Sequence, residues 1–243
     1  MACLNLRLTA QIFFFVCFIS SPPTAFADFS YADKSEIQSI IKEFITENPE
    51  IIRDVLTKLA MTEQAERKRA ALALLKNDDG DPEFGPSDAA ITIYEFSDYN
   101  CGYCKRIFID LQAVLAEQPD VRLVVKEFPI LAETSVLAAK AAIAAQRQGK
   151  FRQFHIAMMN WRGRIDAEAI DSAGEEAGLD DKRLLKDMDD EVTAAILSRT
   201  RAAAAALEVR GTPALIIGET VIPGAISKDE ILNLINQTRA AKN

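Results

Sequence analysis

Two cysteines, Cys101 and Cys104, lie three positions apart in a Cys-Gly-Tyr-Cys motif and are the residues best suited to chemistry. A β-branched apolar run precedes the motif and a helical pattern follows it, so we expect Cys101 at the N-terminus of a helix. Backbone N–H groups and the helix dipole stabilise a thiolate there. Cys104 falls one turn further along the same face. An exposed attacking thiolate beside a sheltered resolving thiol is what thiol–disulfide exchange needs.

A zinc site is the alternative use of two cysteines at this spacing, because such a pair can supply half of the ligands. The chain has no second pair at this spacing, and its only histidine, His155, is distant in sequence. We therefore predict no metal site and no cofactor other than the redox-active disulfide of Cys101 and Cys104. His155 is interpreted as a helix-surface or packing residue.

Composition excludes one large class of function. The 243 residues are 49% apolar and 26% charged, which is typical of a globular protein with room for one full domain and a smaller appendage. Lys and Arg number 28 against 36 Asp and Glu, which gives a net charge of −8. A nucleic acid is therefore not an expected partner.

Residues 1–27 have the order of a secretory signal. A basic residue is followed by an apolar run at 12–19 and by an Ala-Phe-Ala sequence, which predicts cleavage before Asp28. A membrane anchor is the alternative, but the apolar run is shorter than the roughly 20 residues of a spanning helix. Cleavage would leave an exported chain with two cysteines that close almost no loop and so stabilise little.

Residues 28–76 carry two helical patterns with an apolar stripe, and the second begins at Pro49. An apolar stripe on a terminal segment needs a partner surface. It can fold back on the main domain or self-associate, and we favour self-association into a homo-oligomer. Residues 77–88 are rich in Asp, Gly and Pro and are predicted to form a linker.

Residues 89–243 show the pattern of an α/β domain. Two strands joined by the helix after the motif predict a parallel βαβ unit. A long helical region, a β-hairpin and a final helix capped by Ser227 follow. The strands are predicted at residues 90–96, 121–128, 214–217 and 220–222, and the helical region at 131–208.

Two further positions are candidates for supporting the cysteines. Glu95 precedes Cys101 by six residues and could exchange a proton with Cys104 if burial raises its pKa. Lys126, on the next strand, could pair with Glu95, or both could be solvated strand charges. Thr212 and Pro213 precede the hairpin, where the proline marks either a simple turn or a cis bond that exposes a backbone edge beside Cys101.

These motifs together resemble the DsbA type of thioredoxin-fold protein over about residues 89–241. The resemblance rests on the strand–CxxC–helix start, the helical insertion, the segment Lys126-Glu127-Phe128-Pro129-Ile130 and the return through Gly211-Thr212-Pro213. It implies that Cys101 is the nucleophile and Cys104 the resolving cysteine. It also implies that Thr212 and Pro213 form a cis-proline loop that touches substrate, and that Glu95 and Lys126 are a buried acid and its partner.

Two features refine the resemblance. Gly102-Tyr103 between the cysteines, with Thr212 before the proline, is similar to the DsbC isomerase motif. Residues 33–76 resemble the N-terminal region of the copper-sensitivity suppressor (ScsC) group, some of whose members are trimers. The resemblance implies a periplasmic protein disulfide isomerase or reductase that acts on misfolded exported proteins. It further implies a homo-oligomer, with a trimer favoured, and regeneration by a membrane reductase of DsbD or ScsB type.

Two alternatives stay open from the sequence. The first is a monomeric disulfide oxidase of DsbA type, which would not need residues 33–76. The second is a periplasmic copper-tolerance protein that binds Cu(I) through the two soft thiolates. Trp161, Met158 and Met159 are interpreted as core or groove-lining residues and not as a copper cluster.

Overall fold

The computed structural model describes residues 29–242. The predicted signal peptide, its cleavage site, Cys3 and Cys17 lie outside the described residues. Within residues 29–242, no helix combines the length and the apolar character needed to cross a membrane. The chain divides into two compact units, with the boundary between Thr57 and Lys58.

The described part of the first unit is helical. Helix α1 (Tyr31–Glu47) begins with a capping box, in which Ser30 accepts from the Asp33 backbone and Asp33 accepts from the Ser30 backbone. Helix α2 (Pro49–Lys76) begins at a proline, whose missing N–H costs nothing at that position. Both predicted helices are therefore present. In α1 and in the first two turns of α2, large apolar side chains are exposed, namely Ile37, Ile40, Ile41, Phe44, Ile45, Ile51, Ile52, Val55 and Leu56.

The second unit is built on a five-stranded mixed sheet in the order β1-β3-β2-β4-β5. The central pair β2 and β3 is parallel, and the other three pairs are antiparallel. The strands are β1 (Glu83–Phe84), β2 (Ile91–Ser97), β3 (Val121–Glu127), β4 (Ala214–Ile217) and β5 (Thr220–Pro223). The expected βαβ unit and hairpin are thus confirmed, with α3 (Gly102–Glu117) joining β2 to β3.

Both faces of this sheet are covered, so six of the seven residues in each of the central strands β2 and β3 are buried, charged residues included. On one face, Ile93 of β2 packs in the same core cluster as Cys104 and Ile107 of α3. On the other face, Phe96 of β2 packs with Leu72 of α2. We call these the cysteine face and the α2 face. The face on which a charged strand residue lies determines which side chains it can contact.

Five helices are inserted between β3 and β4, as the helical region at 131–208 predicted. They are α4 (Glu133–Arg147), α5 (Phe151–Asn160), α6 (Ala167–Ala177), α7 (Asp181–Met188) and α8 (Glu191–Ala206), and α9 (Lys228–Ala240) ends the fold. Gly178 ends α6 in a left-handed conformation. The break between α7 and α8 was not predicted, because no glycine marks it; Asp190 caps α8 there instead.

The prediction that residues 77–88 form a linker is wrong. Residues 83–84 form strand β1, which pairs with β3, and Phe84 is buried against the ring of Phe151. Leu72 and Leu75 of α2 are also buried, so the sheet-containing domain includes the end of α2 and does not begin at residue 89. Asp, Gly and Pro correctly indicated turns here, but composition cannot show that turns pack against a sheet.

Candidate active site

The two cysteines lie where β2 leads into α3. Cys101 is the N-cap of α3, and its Sγ accepts a hydrogen bond from the backbone N–H of Cys104 at 3.3 Å. The two cysteines are in the reduced form, not joined by a disulfide. Cys101 keeps 5% of its surface exposed and Cys104 none. The predicted order of accessibility holds, although Cys101 is more enclosed than expected.

Hydrogen bonding separates the acidities of the two thiols. The hydrogen bond between the two side chains is the largest cause, and with the backbone N–H groups of Cys104 and Tyr103 it lowers the pKa of Cys101 to about 5. The same hydrogen bond, together with burial, raises the pKa of Cys104. Near neutral pH the site therefore holds one thiolate, on the more accessible sulfur, and one thiol beneath it.

The residues before β4 contact the nucleophile. The Thr212–Pro213 peptide bond is cis, as one of the two sequence interpretations proposed. The Sγ of Cys101 lies 3.3 Å from the carbonyl oxygen of Thr212, which can accept a hydrogen bond from the thiol form. The loop and the cysteine motif are thus in direct contact although more than a hundred residues separate them.

Glu95 lies on the cysteine face of β2 and is completely buried. Neither carboxyl oxygen has a hydrogen-bond partner within the described part of the chain. Burial raises the pKa of Glu95 to about 8. Its charge in turn raises the pKa of Cys104, so the two groups interact electrostatically. The prediction of a buried acid beneath the cysteine helix therefore agrees with the structure.

Lys126 does not pair with Glu95, which corrects the second half of that prediction. Lys126 is in register with Phe96, so the pleat directs it to the α2 face, opposite Glu95. Its Nζ donates to Oδ2 of Asp81 at 2.7 Å, and both side chains are buried. Arg199 approaches the same carboxylate at 3.3 Å. Asp81 lies in the segment that was predicted to be a linker, which is why this partner could not be foreseen.

A buried polar chain on the cysteine face was missed. The Tyr99 hydroxyl lies 3.1 Å from Oε1 of Glu127 and 2.7 Å from Nδ1 of His155. Burial raises the pKa of Glu127 and lowers that of His155 to about 3. His155 is a packing residue, as interpreted, and its ring also contacts Phe108. Lys126 and Glu127 are consecutive residues of a strand that is buried on both faces, so their side chains must be buried on opposite faces. This pattern could have indicated from the sequence that Glu127 needs a buried polar partner.

Asp98 organises the loops that surround Cys101. One of its oxygens accepts from the backbone N–H of Asn100, and the other accepts from those of Ile130 and Leu131. Ile130 and Leu131 are left with exposed apolar side chains, as is Tyr103 inside the motif. The nucleophile is thus surrounded by an ordered surface that includes apolar side chains accessible to a large substrate.

Comparison with known proteins agrees with this geometry. Residues 92–236 match the model of the DSBA-like thioredoxin domain, and residues 33–66 match that of the copper resistance protein ScsC N-terminal domain. A thioredoxin-like oxidoreductase from Silicibacter pomeroyi DSS-3 is 35% identical, with a TM-score of 0.66 over 69% of this chain and 96% of that one. Proteus mirabilis ScsC is 26% identical, with a TM-score of 0.66 over 88% of this chain and 99% of that one.

Curated relatives include longer proteins. A Na(+)/H(+) antiporter NhaA from Herminiimonas arsenicoxydans is 27% identical over 179 residues, which are 71% of this chain. The chain spans only 28% of the length of that relative. The predictions of a thioredoxin fold with a large helical insertion, and of the resemblance to DsbA and ScsC, are confirmed. The chain belongs to the family of proteins with a DSBA-like thioredoxin domain, preceded here by an N-terminal domain of the ScsC type.

Proposed function

We propose that this protein is a periplasmic thiol–disulfide oxidoreductase that isomerises or reduces disulfides of misfolded exported proteins. The observation that carries the proposal is the unequal pair of thiols. Cys101 has its pKa lowered to about 5 at the N-terminus of α3, and Cys104 lies buried beneath it beside Glu95. A thiolate that forms readily on the accessible sulfur is the species that attacks a disulfide.

The first step forms a mixed disulfide. The Cys101 thiolate attacks one sulfur of a substrate disulfide, a bond forms between these sulfurs, and the other substrate sulfur leaves as a thiolate. In isomerisation that thiolate, or another one of the substrate, attacks a different disulfide position and finally releases Cys101 unchanged. No net electrons are transferred in this route.

Reduction uses the second cysteine. Cys104 gives its proton to the Glu95 carboxylate and attacks the Sγ of Cys101. The Cys101–Cys104 disulfide forms, and the second substrate sulfur leaves, so two electrons have passed to the substrate. A carboxyl with a pKa of about 8 is ionised in a useful fraction of molecules near neutral pH and can therefore take up this proton. We propose that a membrane reductase of DsbD or ScsB type restores the dithiol.

The loop at Thr212 and Pro213 would hold the substrate. It contacts Cys101 directly, so an extended peptide that pairs with its backbone would place a disulfide at the nucleophile. The exposed side chains of Tyr103, Ile130 and Leu131 would contact the apolar side chains that a misfolded chain exposes. This arrangement suits many substrates rather than one sequence.

An isomerase role is favoured over a monomeric oxidase by the first unit. The apolar residues of α1 and of the start of α2 are exposed, and in an exported protein such a face needs a partner. We propose that it joins copies of this chain into a homo-oligomer, with a trimer favoured. Several active sites in one assembly raise the effective concentration of thiolate around a bound substrate.

The test uses a substitution in this face. Phe44→Asp introduces a charge at an exposed apolar position of α1, and Leu185→Asp does the same on α7 as the matched control. We expect light scattering to show an oligomer for the mature chain and for Leu185→Asp, and a monomer for Phe44→Asp. Only the oligomers should refold scrambled ribonuclease efficiently. A monomeric wild-type chain without isomerase activity would favour the oxidase.

A further inference from the structure

Four cations lie on the first turns of α3 and in a loop that contacts them, although the chain as a whole has a net charge of −8. Lys105 and Arg106 directly follow the cysteine motif, and Arg162 and Arg164 lie in the loop after α5. Arg106, Arg162 and Arg164 are exposed, and Lys105 is half-buried. We call these four residues the cationic rim.

One hydrogen bond brings the two halves of the cationic rim together. Lys105 lies one helical turn beyond Cys101, and its Nζ donates to the carbonyl oxygen of Trp161 at 2.9 Å. The Trp161 indole N–H donates to the carbonyl oxygen of Arg164 at 3.0 Å, which fixes the loop that carries both arginines. The loop that carries both arginines is therefore held against the start of α3, the helix that Cys101 caps.

No carboxylate of the described residues forms an ion pair with the cationic rim. Within residues 29–242 none of its four members forms an ion pair, whereas six other arginines each have a carboxylate partner, namely Arg67, Arg122, Arg147, Arg183, Arg199 and Arg239. Burial, and to a smaller extent the charge of Arg162, lower the pKa of Lys105, as expected for a cation without an anion nearby.

The carboxylates closest in sequence to the cationic rim, Asp110 and Asp166, form no ion pair with it within residues 29–242. Asp166 instead accepts a hydrogen bond from the backbone N–H of Ala169 at the start of α6, and Asp110 lies one turn beyond Arg106 on α3. The Arg106 guanidinium lies 4.9 Å from the centroid of the exposed Tyr103 ring. Such a stack orients the guanidinium and leaves its N–H groups free for an anion.

We propose that the cationic rim recognises substrate polypeptides that carry Asp or Glu next to the disulfide to be attacked. Guanidinium groups bind carboxylates in a planar, two-point geometry, and opposite charges on two proteins speed their association. The mixed-disulfide step also releases a substrate thiolate, a negative charge that a nearby cation stabilises. This proposal rests on the proposed function and adds a substrate class to it.

The test compares three synthetic peptides with the same intramolecular disulfide, flanked by Glu, by Gln or by Lys. The reduced mature chain is mixed with each peptide, and the second-order rate constant of disulfide reduction is measured at low and at high salt. The variant Arg162→Ala/Arg164→Ala removes half of the cationic rim. Arg201→Ala is the matched control, because Arg201 is an exposed arginine of α8, a helix that packs on the α2 face.

We expect the Glu peptide to react about five to ten times faster than the Gln peptide at low salt, and the Lys peptide to be slowest. High salt should bring the three rates together. The Glu-to-Gln rate ratio should fall towards one in Arg162→Ala/Arg164→Ala and stay unchanged in Arg201→Ala. Equal rates for the three peptides, or a ratio that survives the double substitution, would overturn this proposal alone. No reduction of any peptide would overturn the proposed function as well.

Discussion

The two faces of the central sheet each bury an ionisable side chain, Glu95 on one and Lys126 on the other, but within residues 29–242 only Lys126 has an ion-pair partner. On the cysteine face, Glu95 is fully buried and has no hydrogen-bond partner within the described residues. On the α2 face, Lys126 is equally buried but contacts Asp81, which Arg199 also approaches. The two side chains come from neighbouring strands and are only one register position apart.

This difference separates a structural charge from a reactive one. A buried ion pair fixes the position of its two segments, here β3 and the turn before β1, and losing one partner leaves an uncompensated charge. A buried carboxyl without a partner holds its proton until the pH approaches its raised pKa, and it can then exchange that proton with a neighbour. The absence of a partner within the described residues, and not burial alone, is therefore what makes Glu95 the candidate proton carrier of the proposed mechanism.

The largest expected effect tests the structural side of the comparison. Lys126→Met removes the cation and keeps much of the side-chain volume, which leaves Asp81 buried with only Arg199 nearby. We expect the free energy of unfolding, measured by urea denaturation, to fall by about 3 to 5 kcal/mol. Lys140→Met, which breaks the exposed pair with Asp189, should cost less than about 1 kcal/mol. Equal losses in both variants would contradict the distinction.

The next effect concerns the dependence of stability on pH. The pKa of Glu95 is about 8 in the folded chain and near its ordinary 4.5 in the unfolded chain. Between these values the folded chain keeps a proton that the unfolded chain loses, so wild-type stability falls as the pH rises through this window. Glu95→Gln cannot ionise, and it should gain on the order of 3 kcal/mol relative to the wild type between pH 5 and pH 8.

That comparison is made by urea denaturation at several pH values. Glu127, whose pKa is also raised by burial, is common to both proteins and cancels from the difference. Below pH 4.5 the difference between the two proteins should stop changing with pH. A difference that stays constant from pH 5 to pH 8 would show that Glu95 is ionised throughout and has a partner in solution.

The smallest expected effect is kinetic. Glu95→Gln removes the group that takes the proton of Cys104, so we expect the resolution of a mixed disulfide at pH 7 to slow about tenfold or more. The measurement is single-turnover release of a peptide thiol from its disulfide with Cys101. Glu117→Gln, at a half-exposed carboxylate near the end of α3, should leave the rate unchanged. An unaltered rate in Glu95→Gln would remove Glu95 from the mechanism.

The site residues that sequence could predict are those defined by local pattern. A CxxC motif between a strand and a helix places both thiols, and an acid six residues earlier on that strand lies beneath them. The face of the sheet on which each strand residue lies was harder to predict, because a strand that is buried on both sides shows no alternation of polar and apolar residues. Lys126 was for this reason predicted to pair with Glu95, although it lies on the opposite face of the sheet.

Contacts between distant segments were beyond the sequence. Asp81 meets Lys126 only because residues 81–84 return to the sheet edge, and Tyr99 meets His155 only because α5 packs over the cysteine face. Turn-forming residues and an isolated histidine carry no local mark of such contacts. The fold class was readable from the order of elements, whereas the partners of buried charges needed the packing.

The unequal thiols also set the electrochemistry of the cysteine pair. Above a pH of about 5, reduction of the Cys101–Cys104 disulfide yields one thiolate and one thiol, so two electrons are accompanied by a single proton. The reduction potential of the pair then falls by about 30 mV for each pH unit, half the slope of a couple that binds two protons. The same hydrogen bonds that activate the nucleophile thus make the potential of the pair less sensitive to pH.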